Sequence, residues 1–327
     1  MEQEKLEKKV RDILGREGFE IEDSVARKPG VELELGIYSS EKYDEEEIDH
    51  SKDKIFVDKG LQNVEDAYVV EEEKEYDLPS FELIGDIAVI NDLSSRDREE
   101  AVEGILAHHD VKTILLKTEG LSGEFRVGEY EKLYGEETET VHREHGYKFK
   151  VDPTKAYYSE RFSTERERVA SQVKEGEKVM VMFAGVGPFA VLCAEKACKV
   201  VAIEKNPEAC KYLEENIGIN DFKDKVEAYC GDVKDIIPEL GGKFDRIIMP
   251  LPEKAVEFLH KAVEKVEKGS TVHLYTFVED ENFRPVQKEI ENIFDNNDLD
   301  FDIVDKVRCG YKSPSEDRYC FDIKVFE

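Results

Sequence analysis

Gly185 and Gly187 stand between two apolar runs, Val179–Phe183 and Val200–Ile203, and the second run ends in an acid, Glu204. The order is strand, tight turn, helix, strand, acid. It suits a nucleotide-type ligand lying across the first turn, with its ribose diol on the carboxylate. Glycine lets the backbone approach such a ligand closely. Gly185 and Glu204 are about twenty residues apart, the separation this arrangement needs. The turn reads F-x-G-x-G from Phe183 to Gly187, not G-x-G-x-x-G. That favours S-adenosylmethionine over a dinucleotide, because it has no pyrophosphate to seat on the helix N-terminus. A glycine-rich turn in a ligand-free α/β domain would use the same residues.

Three later positions fall at strand ends. Glu204 is followed by Lys205, Asn206 and Pro207. A carboxylate here accepts from two ribose hydroxyls, or else simply faces solvent. Gly231-Asp232-Val233 follows the third apolar run, where Asp232 could accept from an adenine amine or form an ordinary turn. Pro250-Leu251-Pro252 leaves the fourth run. Two prolines one residue apart fix an extended backbone, which walls a pocket for a flat base or merely ends the strand. Upstream, residues 157–168 (YYSERFSTERER) crowd tyrosines, arginines and glutamates together. Such a run is often a solvated helix face.

These positions need an α/β scaffold. Strands are expected near 179–183, 200–203, 226–229, 244–250, 271–276 and 318–325, separated by helical segments, which predicts a doubly wound sheet. Ser163 or Thr164 is expected to cap a helix that begins there. A smaller α+β layer is expected before it: a strand over Ile84–Ile90, a helix over Arg96–His108 with Val102, Ile105 and Leu106 inward, and strands at Val111–Lys117, Arg126–Tyr130 and Tyr147–Val151. Leu6, Val10, Ile13 and Leu14 recur at helical spacing, and acidic runs occupy 43–49 and 71–77. The expected domains are an N-terminal α+β module over 1–78, a linking α+β domain over 79–155 and the larger α/β domain over 156–327.

The chain has 327 residues and a net charge of −30. Phosphate-binding proteins ordinarily carry Lys and Arg in excess, so the charge argues at first against RNA. Diffuse surface acid also preserves solubility in a salty cytoplasm, and a high-salt adaptation is the explanation favoured. No apolar run reaches membrane-span length and the N-terminus is charged, so no signal peptide or membrane helix is expected. The six cysteines, 193, 198, 210, 230, 309 and 320, show no C-x-x-C spacing. They are expected to be reduced and mostly buried. No metal site is expected.

Seven ordered blocks carry a more specific resemblance: GDIAVI from Gly85, GEFRVGEYE from Gly123, VDPTKAYYS from Val151, TERERV from Thr164, MFAGVGPFA from Met182, IEKNPEA from Ile203 and DRIIMPLP from Asp245. Together they resemble the archaeal and eukaryotic type of tRNA (guanine-N1) methyltransferase, over about residues 80–327. The resemblance implies a class I methyltransferase fold preceded by smaller α+β domains. It also implies S-adenosylmethionine as methyl donor and guanosine 37 of tRNA as acceptor. By motif, Glu165 would be the general base, Arg126 the cation at guanine O6 and Tyr157 an ordering tyrosine. Cofactor contacts would come from Arg166, Phe183, Gly185, Gly187, Glu204, Lys205, Asp232, Val233 and Pro250. Substrate contacts would come from Pro252, Arg161 and Arg168. One departure stands out: the family commonly has Asn-Leu-Pro where this chain has Pro250-Leu251-Pro252, so a side-chain amide gives way to a ring with no donor.

The chemistry is consistent with those residue types. Guanine N1 carries a proton, which a carboxylate must take while a cation holds the charge that moves to O6. The base must leave its stack to reach the pocket. Two other activities fit similar residues: transfer of the aminocarboxypropyl group of the same donor to a modified guanosine, and RNA binding without catalysis. A cytoplasmic monomer is expected.

Overall fold

A computed structural model describes residues 76–326 apart from 123, 124 and 126, together with three short strands within 20–34. The chain divides into two units, 1–75 and 76–327. In the first, β1 (Glu20–Glu22), β2 (Val25–Lys28) and β3 (Val31–Glu34) form an antiparallel meander. The helix expected over residues 6–14 and the acidic run at 43–49 lie outside the described residues, as does Arg126.

The second unit opens with a four-stranded sheet ordered β4 (Ser80–Ile84), β5 (Ile87–Asp92), β6 (Thr113–Ser122), β7 (Val127–Tyr134). The single strand expected over 84–90 is instead the tail of β4 and most of β5. Gly85, at φ +59°, turns the chain between them, a conformation glycine adopts readily. Helix α1 (Arg98–His108) starts from Asp97, whose side chain accepts from the amides of Glu99 and Glu100. Ile105 is buried as expected, but Leu106 is exposed, because Ala101 and Gly104 occupy the inward face. A hairpin of β8 (Thr140–Glu144) and β9 (Tyr147–Val151) follows.

The remainder is a seven-stranded sheet ordered β12-β11-β10-β13-β14-β16-β15. Its strands are β10 (Lys178–Met182), β11 (Lys199–Glu204), β12 (Val226–Cys230), β13 (Arg246–Met249), β14 (Thr271–Glu279), β15 (Phe301–Ser313) and β16 (Glu316–Val325). The first five run parallel, and β16 and β15 join antiparallel. Both faces are covered, as a parallel sheet requires. Met180 and Met182 face a core with α6 (Ala255–Val263) and α7 (Arg284–Asp295). Val179 and Val181, alternating with them, face α2 (Ser163–Ser171), α3 (Pro188–Ala194) and α4 (Pro207–Ile219). Helix α5 (Val233–Glu239) packs through Ile237 on the first face.

Three expectations are corrected. The edge strand β15 was not among the expected strands. The residue preceding α2 is Phe162, with no side-chain cap; the Ser163 hydroxyl instead meets His145 Nε2 at 2.9 Å. The cysteines are not all reduced, since Cys210 and Cys230 form a disulfide. Parallel pairing sets Cys230 opposite Glu204, and α4 starts just beyond, so the two Cα atoms lie 5.9 Å apart, within bridging range. Cys193 and Cys320 are buried, whereas Cys198 is exposed. Among the described residues, no helix is long and apolar enough to cross a membrane.

Candidate active site

Strand β10 has β11 on one side and β13 on the other, so strand order reverses there. In open α/β sheets this is where a crevice forms beyond the carboxyl ends of the strands. The chain leaves β10 through three left-handed residues: Phe183 at φ +59°, Gly185 at +57° and Gly187 at +93°. The conformation is rare for a bulky residue and costs about 1–3 kcal/mol at Phe183. It sends the Phe183 ring against Phe258, centroids 5.2 Å apart. At Gly187 an added Cβ would strike Leu213 at 2.5 Å, so glycine there lets α4 pack closely. At Gly185 the nearest atom to such a Cβ would be the Tyr157 carbonyl oxygen at 3.9 Å. That turn is open to a ligand, and Tyr157 borders it.

Glu204 closes β11 and reaches back to the turn. Its Oε2 accepts from the Gly185 amide and its Oε1 from the Asn206 amide, both at 2.7 Å. Burial pushes its pKa up despite these bonds. Each oxygen keeps acceptor capacity, which a vicinal diol would use. Asp232 caps α5, accepting from the Lys234 amide at 2.9 Å and from Lys205 Nζ at 2.8 Å. Burial raises the Asp232 pKa, but the hydrogen bonds and charges of Lys205 and Lys234 together outweigh it and the net shift is downward. Val233 is buried beside Asp232. Phe183, Gly185, Gly187, Glu204, Lys205, Asp232 and Val233 therefore lie along the carboxyl edge from β10 to β12. Pro250 and the buried Pro252 leave β13 on its other side.

Helix α2 carries two buried charges that point to different partners. Glu165 accepts from the Tyr275 hydroxyl at 2.7 Å and from Arg168 Nε and Nη2 at 2.7 and 2.8 Å. Arg168 also reaches Asp322 at 2.7 Å. Asp322 accepts from His273 Nδ1 at 2.6 Å, and His273 Nε2 meets Arg246 at 2.6 Å. A guanidinium only donates, so His273 Nε2 is the acceptor and its proton sits on Nδ1. Burial lowers the His273 pKa, consistent with that neutral form. The Tyr275 ring lies 6.0 Å from Phe189 in the first turn of α3, so Tyr275 links Glu165 to the helix that follows the glycine turn. One Oε2 acceptor position remains after these bonds. The arrangement is an oriented carboxylate able to take a proton.

Arg166 is the next residue along α2 and is also buried. Its Nε donates to Glu144 Oε1 at 2.7 Å, its Nη2 also meets Glu144, and Nη2 reaches the Ser159 carbonyl at 3.1 Å. These bonds tie α2 to the β8–β9 hairpin and do not reach the glycine turn. Burial raises the Glu144 pKa, but the Arg166 contacts bring it below the usual carboxylate range. Arg161 is exposed and pairs with Glu82 at 3.0 Å. Arg168 is half-buried, and its bonds go to Glu165 and Asp322.

Several contributors escaped the sequence reasoning: Tyr275, Asp322, His273, Glu144 and Arg318. For Tyr275, His273, Asp322 and Arg318 the signal was polar side chains within the buried strands Thr271–Glu279 and Glu316–Val325; Glu144, in the polar strand Thr140–Glu144, had none. Asn216 of α4 and Asn220, which caps its C-terminus, bond the backbone of Lys150 and Lys148 of β9, and Asn216 also reaches the Val186 carbonyl at 2.8 Å. His273, Cys320 and Asp322 also present metal-type ligand atoms within 4.8 Å. Arg168 and Arg246 fill that neighbourhood with positive charge, which suits an ion-pair network and opposes a cation. Burial pushes the Cys193 and Cys309 thiols up to about 12, so neither is a ready nucleophile.

Comparison with known proteins agrees with this architecture. Residues 140–303 match the TRM5/TYW2 methyltransferase domain, and residues 66–138 match the TYW2 N-terminal domain. A tRNA (guanine(37)-N(1))-methyltransferase Trm5b of Pyrococcus abyssi is 43% identical over 202 residues, 61% of this chain and 60% of that protein. A tRNA(Phe) (4-demethylwyosine(37)-C(7)) aminocarboxypropyltransferase of Methanocaldococcus jannaschii is 36% identical over 212 residues, 64% of this chain and 83% of that one. Among solved structures, the complex of aTrm5 with tRNALeu aligns with a TM-score of 0.68 at 33% identity, covering 75% of this chain and 72% of that one. Pyrococcus horikoshii TYW2 in complex with MeSAdo aligns at 0.66 and 31% identity, covering 76% and 92%. The chain thus spans only 60% of the length of the Trm5b protein. The turn at Gly185, the acid at Glu204, the switch point at β10 and these matches place the chain in the TRM5/TYW2 methyltransferase domain family.

Proposed function

We propose that this protein transfers a methyl group from S-adenosylmethionine to N1 of guanosine 37 in tRNA. The observation that carries the proposal is Glu165: a buried carboxylate, already oriented by Arg168 and Tyr275, and linked through Tyr275 to the helix that follows the glycine turn. The fit of the donor rests on the open space at Gly185 and on the acceptor capacity of Glu204 and Asp232. Phe183, Gly187, Lys205, Val233 and Pro250 would line the same edge. Bound there, the donor supplies an electrophilic methyl on a sulfonium, and the protein need only align the acceptor. Glu165 Oε2 takes the N1 proton, Tyr157 borders the turn, and a cation holds the charge at O6. Arg126 is the motif's candidate for that cation. Pro252, Arg161 and Arg168 remain proposed on the acceptor side, with Arg168 acting through Glu165.

The tRNA and the donor are supported by the relatives' complexes with tRNALeu and MeSAdo. We also propose a domain division at 78/79, a monomer, a cytoplasmic enzyme and a salt-adapted surface; the second division, expected at 155/156, is proposed instead ahead of Thr140, because Glu144 and Lys150 of the β8–β9 hairpin bond Arg166 and Asn216 of the larger domain. Mass spectrometry of nucleosides from tRNA incubated with enzyme and S-adenosylmethionine tests the reaction. A methylated guanosine at position 37 is expected, and unmodified tRNA would refute it. The match of residues 66–138 to the TYW2 N-terminal domain favours a second reading, aminocarboxypropyl transfer, whose heavier product the same spectra distinguish.

A further inference from the structure

Two buried side-chain nitrogens lack a hydrogen-bond partner among the described residues, Asn91 Nδ2 and Arg318 Nε. The second lies at the candidate active site. Arg318, near the start of β16, stands opposite Phe277 of β14 and Gly310 of β15 and is only 8% exposed. Its Nη2 donates to the Pro250 carbonyl at 3.3 Å. Its guanidinium carbon lies 4.0 Å from the ring centre of Phe162 and 5.0 Å from that of Tyr275, the tyrosine that donates to Glu165. A side chain at position 310 would meet the Phe162 ring at 3.2 Å, so Gly310 leaves room for the ring.

The other buried or half-buried arginines around this sheet each face a carboxylate: Arg166 faces Glu144, Arg168 faces Glu165 and Asp322, and Arg246 faces Glu177. Arg318 is held instead by aromatic faces and one carbonyl. Stacking fixes the guanidinium plane and leaves its edge donors for a ligand. A buried charged donor without an acceptor costs stability, and so calls for a reason. The sheet order indicates which ligand. β14 and β16 lie on the far side of β13 from β10, β11 and β12, whereas Glu204 and Asp232 lie at the ends of β11 and β12. Arg318 therefore belongs to the acceptor side of the crevice.

We propose that Arg318 is a second catalytic cation, donating to the carbonyl oxygen of the acceptor base. The proposal rests on the methyl-transfer reading above. As the N1–H bond breaks, its proton passes to Glu165 and the electron pair delocalises through C6 to O6, where Arg318 holds it. When the N1–methyl bond forms and the donor's carbon–sulfur bond breaks, the oxygen returns to a neutral carbonyl and the donor leaves as a thioether. A base with an amino group at position 6 offers Arg318 no acceptor, so Arg318 also selects 6-oxo purines.

The test compares wild type, Arg318→Met and Arg318→Lys in single-turnover methylation of tRNA from pH 6.5 to 9.5, alongside titration with S-adenosylmethionine. Cofactor affinity is expected to stay within about twofold. The Met variant is expected to react on the order of 10²-fold more slowly near neutrality, and the Lys variant to fall between. The deficit should shrink as pH rises, because solvent then removes the N1 proton without help. A purely structural arginine would give a deficit equal at every pH, and that result overturns the proposal. So does an unchanged rate, or a loss confined to cofactor affinity. If circular dichroism shows the Met variant unfolded, the Lys variant answers by the same two readouts. A wild-type enzyme that leaves tRNA unmodified overturns the methyl-transfer reading and Arg318's role with it. If wild type methylates normally, a variant that fails these readouts counts against Arg318 alone.

Discussion

Glu165 is oriented before any substrate arrives. Two donors from Arg168 and one from Tyr275 fix its plane, so little reorganisation would accompany the proposed proton transfer. Glu165→Gln keeps the shape but removes the proposed base. Single-turnover methylation is expected to fall by roughly 10²-fold or more, with S-adenosylmethionine affinity little changed; near-normal turnover would remove Glu165 from the role. Glu204 gives a pH prediction. Its folded pKa is raised by burial, and the proposed ribose contact would need the ionised form. Affinity for the donor should therefore be flat at high pH. It should weaken by about tenfold per pH unit below that pKa, starting at a higher pH than for an exposed glutamate. Isothermal titration from pH 4.5 to 8 checks the sign, and affinity that improves on acidification would exclude Glu204 as the acceptor. Both acids could be picked out as candidates because each sits in a short block, Glu204 at the end of an apolar run and Glu165 in the TERERV block that carries the resemblance. Asp322 was not legible as a partner of Glu165's clamp, because it meets Arg168 across 154 residues of sequence, and no local pattern encodes that contact.

At the scale of elements, the parallel strands were read from their apolar runs because burial on both faces leaves continuous hydrophobic sequence. β15 was missed for the converse reason. It is an edge strand with register shifts at Ile303/Asp305, Arg308/Gly310 and Tyr311/Ser313, and Val304 and Tyr311 are exposed. Bulges interrupt the two-residue alternation that marks a half-buried strand. The contact between α4 and β9 was equally hidden. Asn216 is fully buried and serves the Lys150 amide, the Lys150 carbonyl and the Val186 carbonyl, joining the hairpin, the helix and the glycine turn. Asn216→Ala would leave these groups unpaired and should destabilise the protein by about 2–4 kcal/mol. A denaturant titration reads this as a lower midpoint with an unchanged slope.

For the whole molecule, the charge of −30 would have to coexist with the polyanionic partner proposed above. Many of the described surface lysines are paired with acids, as Lys150 is with Glu139 and Glu215, and Lys199 with Glu227. Long-range repulsion of tRNA is therefore expected at low salt. At about 1 M potassium chloride the screening length falls to about 3 Å. If the acidity is a salt adaptation, methylation should persist or rise there, whereas an interface driven by phosphate contacts alone loses affinity steeply. Rates and tRNA affinity measured from low to molar salt decide between them, and a monotonic collapse of both would discard the adaptation.

The Arg166–Glu144 pairing also governs where the polypeptide can be divided. The β8–β9 hairpin precedes the large sheet in sequence, yet it supplies the counterion of a buried arginine in α2 and the backbone partners of Asn216 and Asn220. A recombinant fragment starting at residue 156 would strand that guanidinium without its carboxylate, a loss of about 3–5 kcal/mol, on top of the orphaned asparagines. One starting at residue 138 retains both. The shorter fragment should be insoluble or partly unfolded by circular dichroism, and the longer one should melt cooperatively. In limited proteolysis of the intact protein, cuts should accordingly fall ahead of Thr140 rather than between Val151 and Ser163.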